Sequence, residues 1–413
     1  MRLRIPIFLF LINLLAPVSP LAAAAPSGLI VGLDTIPNRI RAHNPALAAA
    51  RWRIAEARGT QQASGLRDNP ELEGGFSFNN TLREGGLELG LSQRFPVTNR
   101  LQLEKTVTTT LVLQAEAEVQ AVEQQLIHEA RTQLVEILTL RQQLALRSEQ
   151  ITLAGELAAF IEEAATKGEL SPLDAGQAQL ESVRLEAEIP QLKAQEEMLA
   201  GRLKALLGMQ PADQLHVAGQ QLPPVTVPDG GLLIRNRSDL TASRLASEAA
   251  RQTVALEEAR RYDDIEVGVV AGLERSEDAP EGFENEGIVG VRVKMALPFW
   301  DKNEGQIARA KATAARHEQK TIALGEQLRN EAGAALGEMK QWSALLHQID
   351  SELLPLAEKQ AVESESAYRQ GLGDLQAYLR VREQRLDLAN SRLESLRNFH
   401  LARLRYEAAL GQP

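Results

Sequence analysis

Histidines are the first place to look for chemistry in this 413-residue chain, and it has six: His43, His128, His216, His317, His347 and His400. Two imidazoles about three to five residues apart can grip zinc, and one beside a serine and a carboxylate can run acyl transfer. No pair here has that spacing, and no Ser–His–Asp or paired-carboxylate constellation stands out. Ordinary surface or packing roles suit all six. The chain has no cysteine, which removes disulfides, thiolate catalysis, cysteine metal sites and lipid attachment at an N-terminal cysteine. Gly371-x-Gly373 lacks the strand–turn–helix setting of a phosphate loop. Glu277, Asp278, Glu281, Glu284 and Glu286 could draw cations, but a solvated loop between strands explains them more simply. These residues imply no enzyme, no cofactor and no resident metal.

The elements around them carry more information. The net charge is −10, so no basic patch invites nucleic acid. Residues 1–25 read as a secretory signal peptide: Arg2 and Arg4, an apolar core over 5–15, then Ala22 to Ala25 at the cleavage positions. No later run is long and apolar enough for a transmembrane helix.

Strands argue for a membrane nonetheless. Leu72, Gly74, Phe76 and Phe78 alternate with Glu71, Glu73, Gly75 and Ser77, and Leu87, Leu89 and Leu91 alternate with Glu88 and Ser92. Val267 and Val269 lie opposite Glu266 and Gly268, and Val289, Val291 and Val293 lie opposite Arg292 and Lys294. Alternation with period two gives a sheet one apolar and one polar face. Runs of about ten residues are long enough for a tilted strand to cross the hydrocarbon layer. A half-buried sheet packed on helices would show the same alternation. If the apolar face meets lipid, open edges are forbidden, because unpaired N–H and C=O groups find no water there. Four strands are too few to close a barrel, so several chains must pool theirs. Phe95, Phe299 and Trp300, at strand ends, suit either an interfacial aromatic girdle or simple packing.

Long helices fill the rest. No proline lies between Pro96 and Pro172, and Val119, Val122, Leu126, Ala130, Leu134 and Ile137 recur at helical steps. Such a helix runs for about 100 Å at 1.5 Å per residue. Its partner in the second half carries Pro355, which should kink it. Both helices stop at glycine, Gly168 and Gly371, as left-handed caps require. The two halves repeat one unit. Their offset is 193 residues at Leu47 and Leu240, 202 at Pro96 and Pro298, and 203 at Gly168 and Gly371 and again at Gly208 and Gly411. The first repeat is 26–211, with strands near 71–79 and 86–95 and a helical hairpin over 98–208. A linker over 212–232 leads to the second, 233–413, with strands near 264–274 and 287–297 and a hairpin over 302–411. The fold class is mainly α with transmembrane β, read as a tandem repeat.

These segments resemble the outer-membrane efflux protein family typified by TolC. Asn44-Pro45-Ala46-Leu47 and Asn69-Pro70-Glu71-Leu72 are similar to its paired Asn-Pro-x-Leu segments. The run from Leu297-Pro298-Phe299-Trp300 through Asp301-Lys302-Asn303-Glu304-Gly305-Gln306-Ile307 resembles the strand-to-helix junction of its heavy-metal, cobalt–zinc–cadmium-type branch. Leu354-Pro355-Leu356-Ala357-Glu358 and Tyr368-Arg369-Gln370-Gly371 resemble its second hairpin near the tip. The resemblance implies a homotrimer in the outer membrane of a Gram-negative bacterium. Four strands per chain would join a twelve-stranded barrel in outer-membrane lipid, and the helices would form a periplasmic tube. It implies partners too: a periplasmic adaptor, or membrane fusion protein, and an inner-membrane pump, taken as proton-driven. Adaptor docking would fall to Lys167, Gly168, Glu169, Leu170, Ser171, Tyr368, Gly371, Leu372, Gly373 and Asp374, and Asp174 and Arg380 would stand at the aperture. Acidic residues common in the family beyond the second tip are replaced here by Ala377 and Arg380. Exported cargo would be heavy-metal cations or organic compounds. A periplasmic coiled-coil adaptor and a secreted helical protein are the competing readings.

Overall fold

The structure, a computed structural model, describes residues 29–80, 83–219, 221–229, 231, 234, 237–278 and 282–412. The signal-peptide reading of 1–25 and the residue Glu281 lie outside them.

Its spine is α3, Arg100–Thr166, a 67-residue helix without a break. Two shorter helices share its length. Helix α2, Pro45–Ala63, lies on its first half, and α4, Pro172–Leu206, on its second. They meet through Asn44, whose Oδ1 accepts from Leu47 N at 2.8 Å to cap α2 and whose Nδ2 donates to Leu206 O at 2.7 Å. One buried amide thus satisfies orphan groups at two helix ends. Pro45 at the first helical position costs α2 nothing, since that N–H has no helical partner. The second Asn-Pro, Asn69-Pro70, does something else and leads directly into a strand.

The second repeat reuses the plan. Helix α5, Ser238–Ala259, packs on α6, Glu304–Gln348; a π-turn over Ile349–Leu353 and α7, Leu354–Arg369, continue that line; α8, Leu375–Leu410, returns along it. The π-turn lies just before Pro355, which cannot donate to the carbonyl of Ser351. A wider turn absorbs the missing bond at this proline.

The strands form one antiparallel sheet ordered β2–β3–β5–β6: Glu71–Phe78, Gly85–Phe95, Ile265–Asp278 and Gly282–Lys294. Here the sequence reading needs correction. The second hairpin is longer than 264–274 and 287–297 at its turn, and Glu277, Asp278, Glu284 and Glu286 sit on paired strands rather than in a loop. Alternation fades there because both faces meet water, while ladder hydrogen bonds do not depend on side-chain polarity. The segment read as a linker is also more structured. A strand β4, Leu215–Val217, pairs in parallel with β1, Leu29–Val31. Together with α1, Ile36–His43, they form a belt midway along the hairpins.

The main core sits at this belt, where Ile36, Ile40, Leu47, Leu134, Ile137, Leu203 and Leu207 are fully buried. A second core gathers Met339, Phe399, Ala402 and Tyr406 of the other repeat. His400 Nε2 lies 3.0 Å from Pro223 O, and Tyr406 Oη donates to Gly231 O at 2.8 Å, so α8 staples the connecting segment.

Candidate functional site: an apolar sheet face and a helical tip

The register decides what the sheet presents. Leu72 pairs with Leu91, Phe76 with Leu87, Leu89 with Ala271, and Leu91 with Val269. Val269 pairs with Val291, Val267 with Val293, and Ala271 with Val289. Directly opposed residues share a face, so the apolar sets of all four strands merge into one surface. It is uncovered: Phe76, Phe78, Leu89, Leu91, Val267, Val269, Val289, Val291 and Val293 are all exposed, Val289 to 80%, while Leu87 is half-buried. The opposite face is charged. Arg292 pairs with Glu88 at 2.7 Å and Glu73 at 3.7 Å, and Arg94 lies 3.5 Å from both Glu71 and Glu266. A sheet with water on its charged face and bare aliphatic side chains on the other is built for two solvents. Its two outer strands, β2 and β6, have no partner beyond them among the described residues.

The other end of the molecule is the tip, where α3 turns into α4 and α7 into α8. Both turns are Schellman motifs around a left-handed glycine. At Gly168, φ is 77°, Gly168 N donates to Ala165 O at 3.1 Å, and Glu169 N donates to Ala164 O at 2.9 Å. At Gly371, φ is 71°, with Gly371 N to Tyr368 O at 3.0 Å and Leu372 N to Ala367 O at 2.9 Å. Ser171 then caps α4, accepting from Leu173 N at 3.2 Å, and Lys167 pairs with Glu163 at 2.6 Å on the open surface. Gly373 lies close against the backbone, since a Cβ there would meet Tyr368 N at 3.2 Å.

A small core ties the two turns together. Tyr368 and Tyr378 stack at 5.5 Å, Phe160 meets Tyr368 edge-on at 6.2 Å, and Ala158, Ile161, Ala178 and Leu170 pack around them. Burial pushes the Tyr368 phenol pKa up, with the Asp174 carboxylate adding to it. Arg382 lies over the Tyr378 ring at 5.8 Å and donates to Leu153 O at 3.4 Å. Sequence reading named Tyr368 but passed over Tyr378 and Arg382; their signal was an aromatic and a cation one helical turn apart on α8. Glu169, Leu372 and Asp374 are exposed at the tip, Leu372 strongly. Asp174 is half-buried and Arg380 exposed, and they form no ion pair with each other among the described residues.

Elsewhere, a cavity of about 570 Å³ at the belt is lined by Arg41, His128, Arg131, Arg237 and Glu407. Burial, then Arg237 and Arg131, hold the His128 pKa below its ordinary value, so the neutral imidazole is favoured. Among the described residues no three His, Asp or Glu side chains are grouped to hold a metal ion, and no helix is long and apolar enough to cross a membrane.

With this geometry in hand, the relatives can be placed. Residues 36–209 match the family model described as outer membrane efflux protein. No curated protein matches the chain by sequence. Solved structures match nearly all of it. The outer-membrane channel OprN has 17% identity, covers 92% of this chain and 90% of its own, and gives a TM-score of 0.78. The outer membrane protein VceC from Vibrio cholerae has 20% identity, with 92% and 96% covered and a TM-score of 0.75. CusC, whose structures concern transmembrane channel formation, has 16% identity, with 92% of each chain covered and a TM-score of 0.73. The fold is therefore TolC-like. The family model is of outer membrane efflux proteins, and the structures are of outer-membrane or transmembrane-channel proteins. Two helical hairpins on one sheet also differ from the single hairpin with compact β modules that a periplasmic adaptor would need.

Proposed function

We propose that three copies of this chain close a twelve-stranded barrel in the outer membrane and carry efflux substrates through it from a helical tube in the periplasm. One observation carries the reading: a four-stranded sheet with a continuous exposed apolar face and two unpaired edges. Lipid would cover the face, and pairing β6 of one copy with β2 of the next would remove every edge. Passage needs no catalysis by the tube. The tip residues at 167–171 and 371–374 would meet a periplasmic adaptor, itself fed by an inner-membrane pump driven by protons. Leu372, on the α7–α8 turn, and Leu173, in the first turn of α4, are both strongly exposed at this end, which supports that assignment.

Heavy-metal cations are the cargo we favour, on the resemblance of the 297–307 junction to that branch; organic compounds are the second reading. A deletion strain challenged with metals and with organic toxicants separates them. The architecture has a cleaner test because the chain has no native cysteine. Gly74→Cys on β2 and cysteines scanned along β6 should trap a ladder ending at three chains in native membranes. A stable single chain in lipid would overturn the reading.

A further inference from the structure

Helices α2 and α6 each leave bare a face that the matching helix of the other repeat keeps covered. On α2, Pro45, Ala48, Trp52, Ala55 and Gly59 follow one another at steps of three and four, and all are exposed. On α6, Ala308, Ala312, Ala315, Gln319 and Ile322 do the same. Trp52, 71% exposed, and Ile322, 53% exposed, are the large apolar side chains of these faces. The repeat shows what such faces do. Helix α2 corresponds to α5 at the 193-residue offset of Leu47 and Leu240, and α6 to α3 at the 202-residue offset of Pro96 and Pro298. One contact agrees with both offsets: Ser243 Oγ lies 2.7 Å from Thr321 Oγ1, and their counterparts Ala50 and Val119 both belong to the main core. The bare faces are therefore the counterparts of the faces through which α5 and α3 meet within the chain. There Thr110 Oγ1 donates to Gln252 Oε1 at 2.8 Å, and Ser238 N donates to Gln124 Oε1 at 3.3 Å. Leu245, half-buried and midway between Ser238 and Gln252, is the counterpart of Trp52. Ala117, buried and midway between Thr110 and Gln124, is the counterpart of Gln319.

We propose that α2 of one copy packs on α6 of the next, repeating between chains the seam that α5 and α3 make within one, and that Trp52 is the anchor of this joint. The matching levels put Trp52 over Gln319, where it would enter the gap between Ala315, Gln319 and Ile322 as a knob enters a hole between paired helices. Ala315 leaves room for the indole. The two seams share geometry but not chemistry. Ser238, Gln252 and Thr110 have Pro45, Gly59 and Ala312 as counterparts, and none of these can make the hydrogen bonds found within the chain. A joint without those bonds depends on apolar burial, and Trp52 is the largest apolar group it has. The surface is continuous with the open sheet edges, since α2 leads into β2 and β6 leads into α6. Unlike faces of two copies meet, which is the head-to-tail contact that generates a ring. The inference rests on the proposed trimer, and it adds the helical joint and the residue that specifies it.

The test uses the full-length protein in native membranes. Ala55→Cys with Ala315→Cys leaves Trp52 and Ile322 in place, one step along each face. Within one chain the two sites lie on opposite flanks of the α3–α5 pair, so a short bis-maleimide should link different copies and give a ladder ending at three chains, with none from either single variant. The chain has three tryptophans, Trp52, Trp300 and Trp342, so Trp300→Phe with Trp342→Phe leaves Trp52 as sole reporter. Should that background not assemble, the difference between the wild type and Trp52→Phe gives the same signal. Iodide should quench Trp52 several-fold less than it quenches free indole; equal quenching would overturn the joint. Trp52→Ala should lower the yield of inserted trimer several-fold, and an unchanged yield would remove Trp52 as the anchor. The cysteine pair on β2 and β6 separates the two ideas. A ladder there with none from α2 and α6 would sink the helical joint alone; no ladder from either pair would sink the trimer as well.

Discussion

Both ends of each returning hairpin close with the same glycine turn, yet their surroundings differ. At the belt, α4 ends on Gly208, with Gly208 N to Ala205 O at 3.2 Å and Met209 N to Lys204 O at 2.9 Å. The adjoining carbonyls are taken by side chains from α1 and its cap: Arg39 Nε donates to Leu207 O at 3.1 Å, and Asn44 to Leu206 O. A Cβ on Gly208 would come within 2.1 Å of His43 O. At the tip, Gly168 and Gly371 have the same bonds and the same sign of φ, but a Cβ on either would meet nothing within 4 Å. Local backbone chemistry is thus identical and only the packing differs. The belt glycine is a close approach that the fold requires, whereas the tip glycines form turns with open space around them.

The largest expected effect follows from that contrast. Gly208→Ala must move a backbone carbonyl as well as adopt left-handed φ, and should cost about 3 kcal/mol or more. Loss of membrane-inserted trimer, with a lowered thermal midpoint in any that forms, is the outcome to look for. Gly168→Ala, matched in chemistry, should leave trimer yield nearly unchanged. Equal damage at both would break the comparison.

Acid should separate the ends next. His400 is 4% exposed, and burial brings its pKa down to about 4 from an ordinary value of 6.5, against a smaller upward pull from Pro223 O. A depressed folded-state pKa means the neutral ring is preferred. Its stabilisation is present in full above the unfolded value and is lost as pH falls from about 6.5 toward about 4, reaching roughly 2–3 kcal/mol at the lower end. The staple to the 221–229 segment should therefore loosen in that window, seen as faster amide exchange there, with His400→Gln flattening the dependence. Exchange at the tip glycines should not follow it.

Tip cohesion should respond locally. Tyr378→Leu removes the stack on Tyr368 and should cost about 1–2 kcal/mol. Faster amide exchange over 157–179 and 368–382, with an unchanged trimer midpoint, would show that the tip is a separate, weaker unit. A drop in the global midpoint would join it to the belt.

How far the sequence reached is itself instructive about these regions. Four strands were readable because one apolar and one charged face forced strict alternation, and the caps at Gly168 and Gly371 were readable because left-handed caps have few other occupants; Gly208 and Gly411 showed in the sequence only as the same 203-residue offset. The β1–β4 pair was not, since two three-residue strands nearly 200 residues apart carry no periodic signal. Nor was the strand extension through Glu277 and Glu284, where backbone pairing outlasts the side-chain pattern. Tyr378 was hidden because burial at the tip comes from the meeting of two hairpins, which neither repeat shows alone.

The smallest effect on the fold is the one that bears most on function. Gly371→Val has open space around its Cβ, so its cost is confined to left-handed strain of about 1–2 kcal/mol in one turn. That turn is about 45 Å from the belt core at 1.5 Å per residue along α3, and the strain falls on Tyr368 O and Ala367 O, the two carbonyls its Schellman bonds use. Assembly of the proposed trimer, which would depend on the strand edges and the belt, should be untouched. Export should nevertheless fall, because Leu372, 80% exposed and one residue on, would be re-aimed. Gly168→Val should act alike through Glu169 and Leu170. Inserted trimer and export measured in the same strain decide the matter. Normal trimer with reduced export marks the tip as a docking surface; normal export would reduce the two glycines to turn formers; loss of trimer would show that the tip, like the belt, is needed to build the fold.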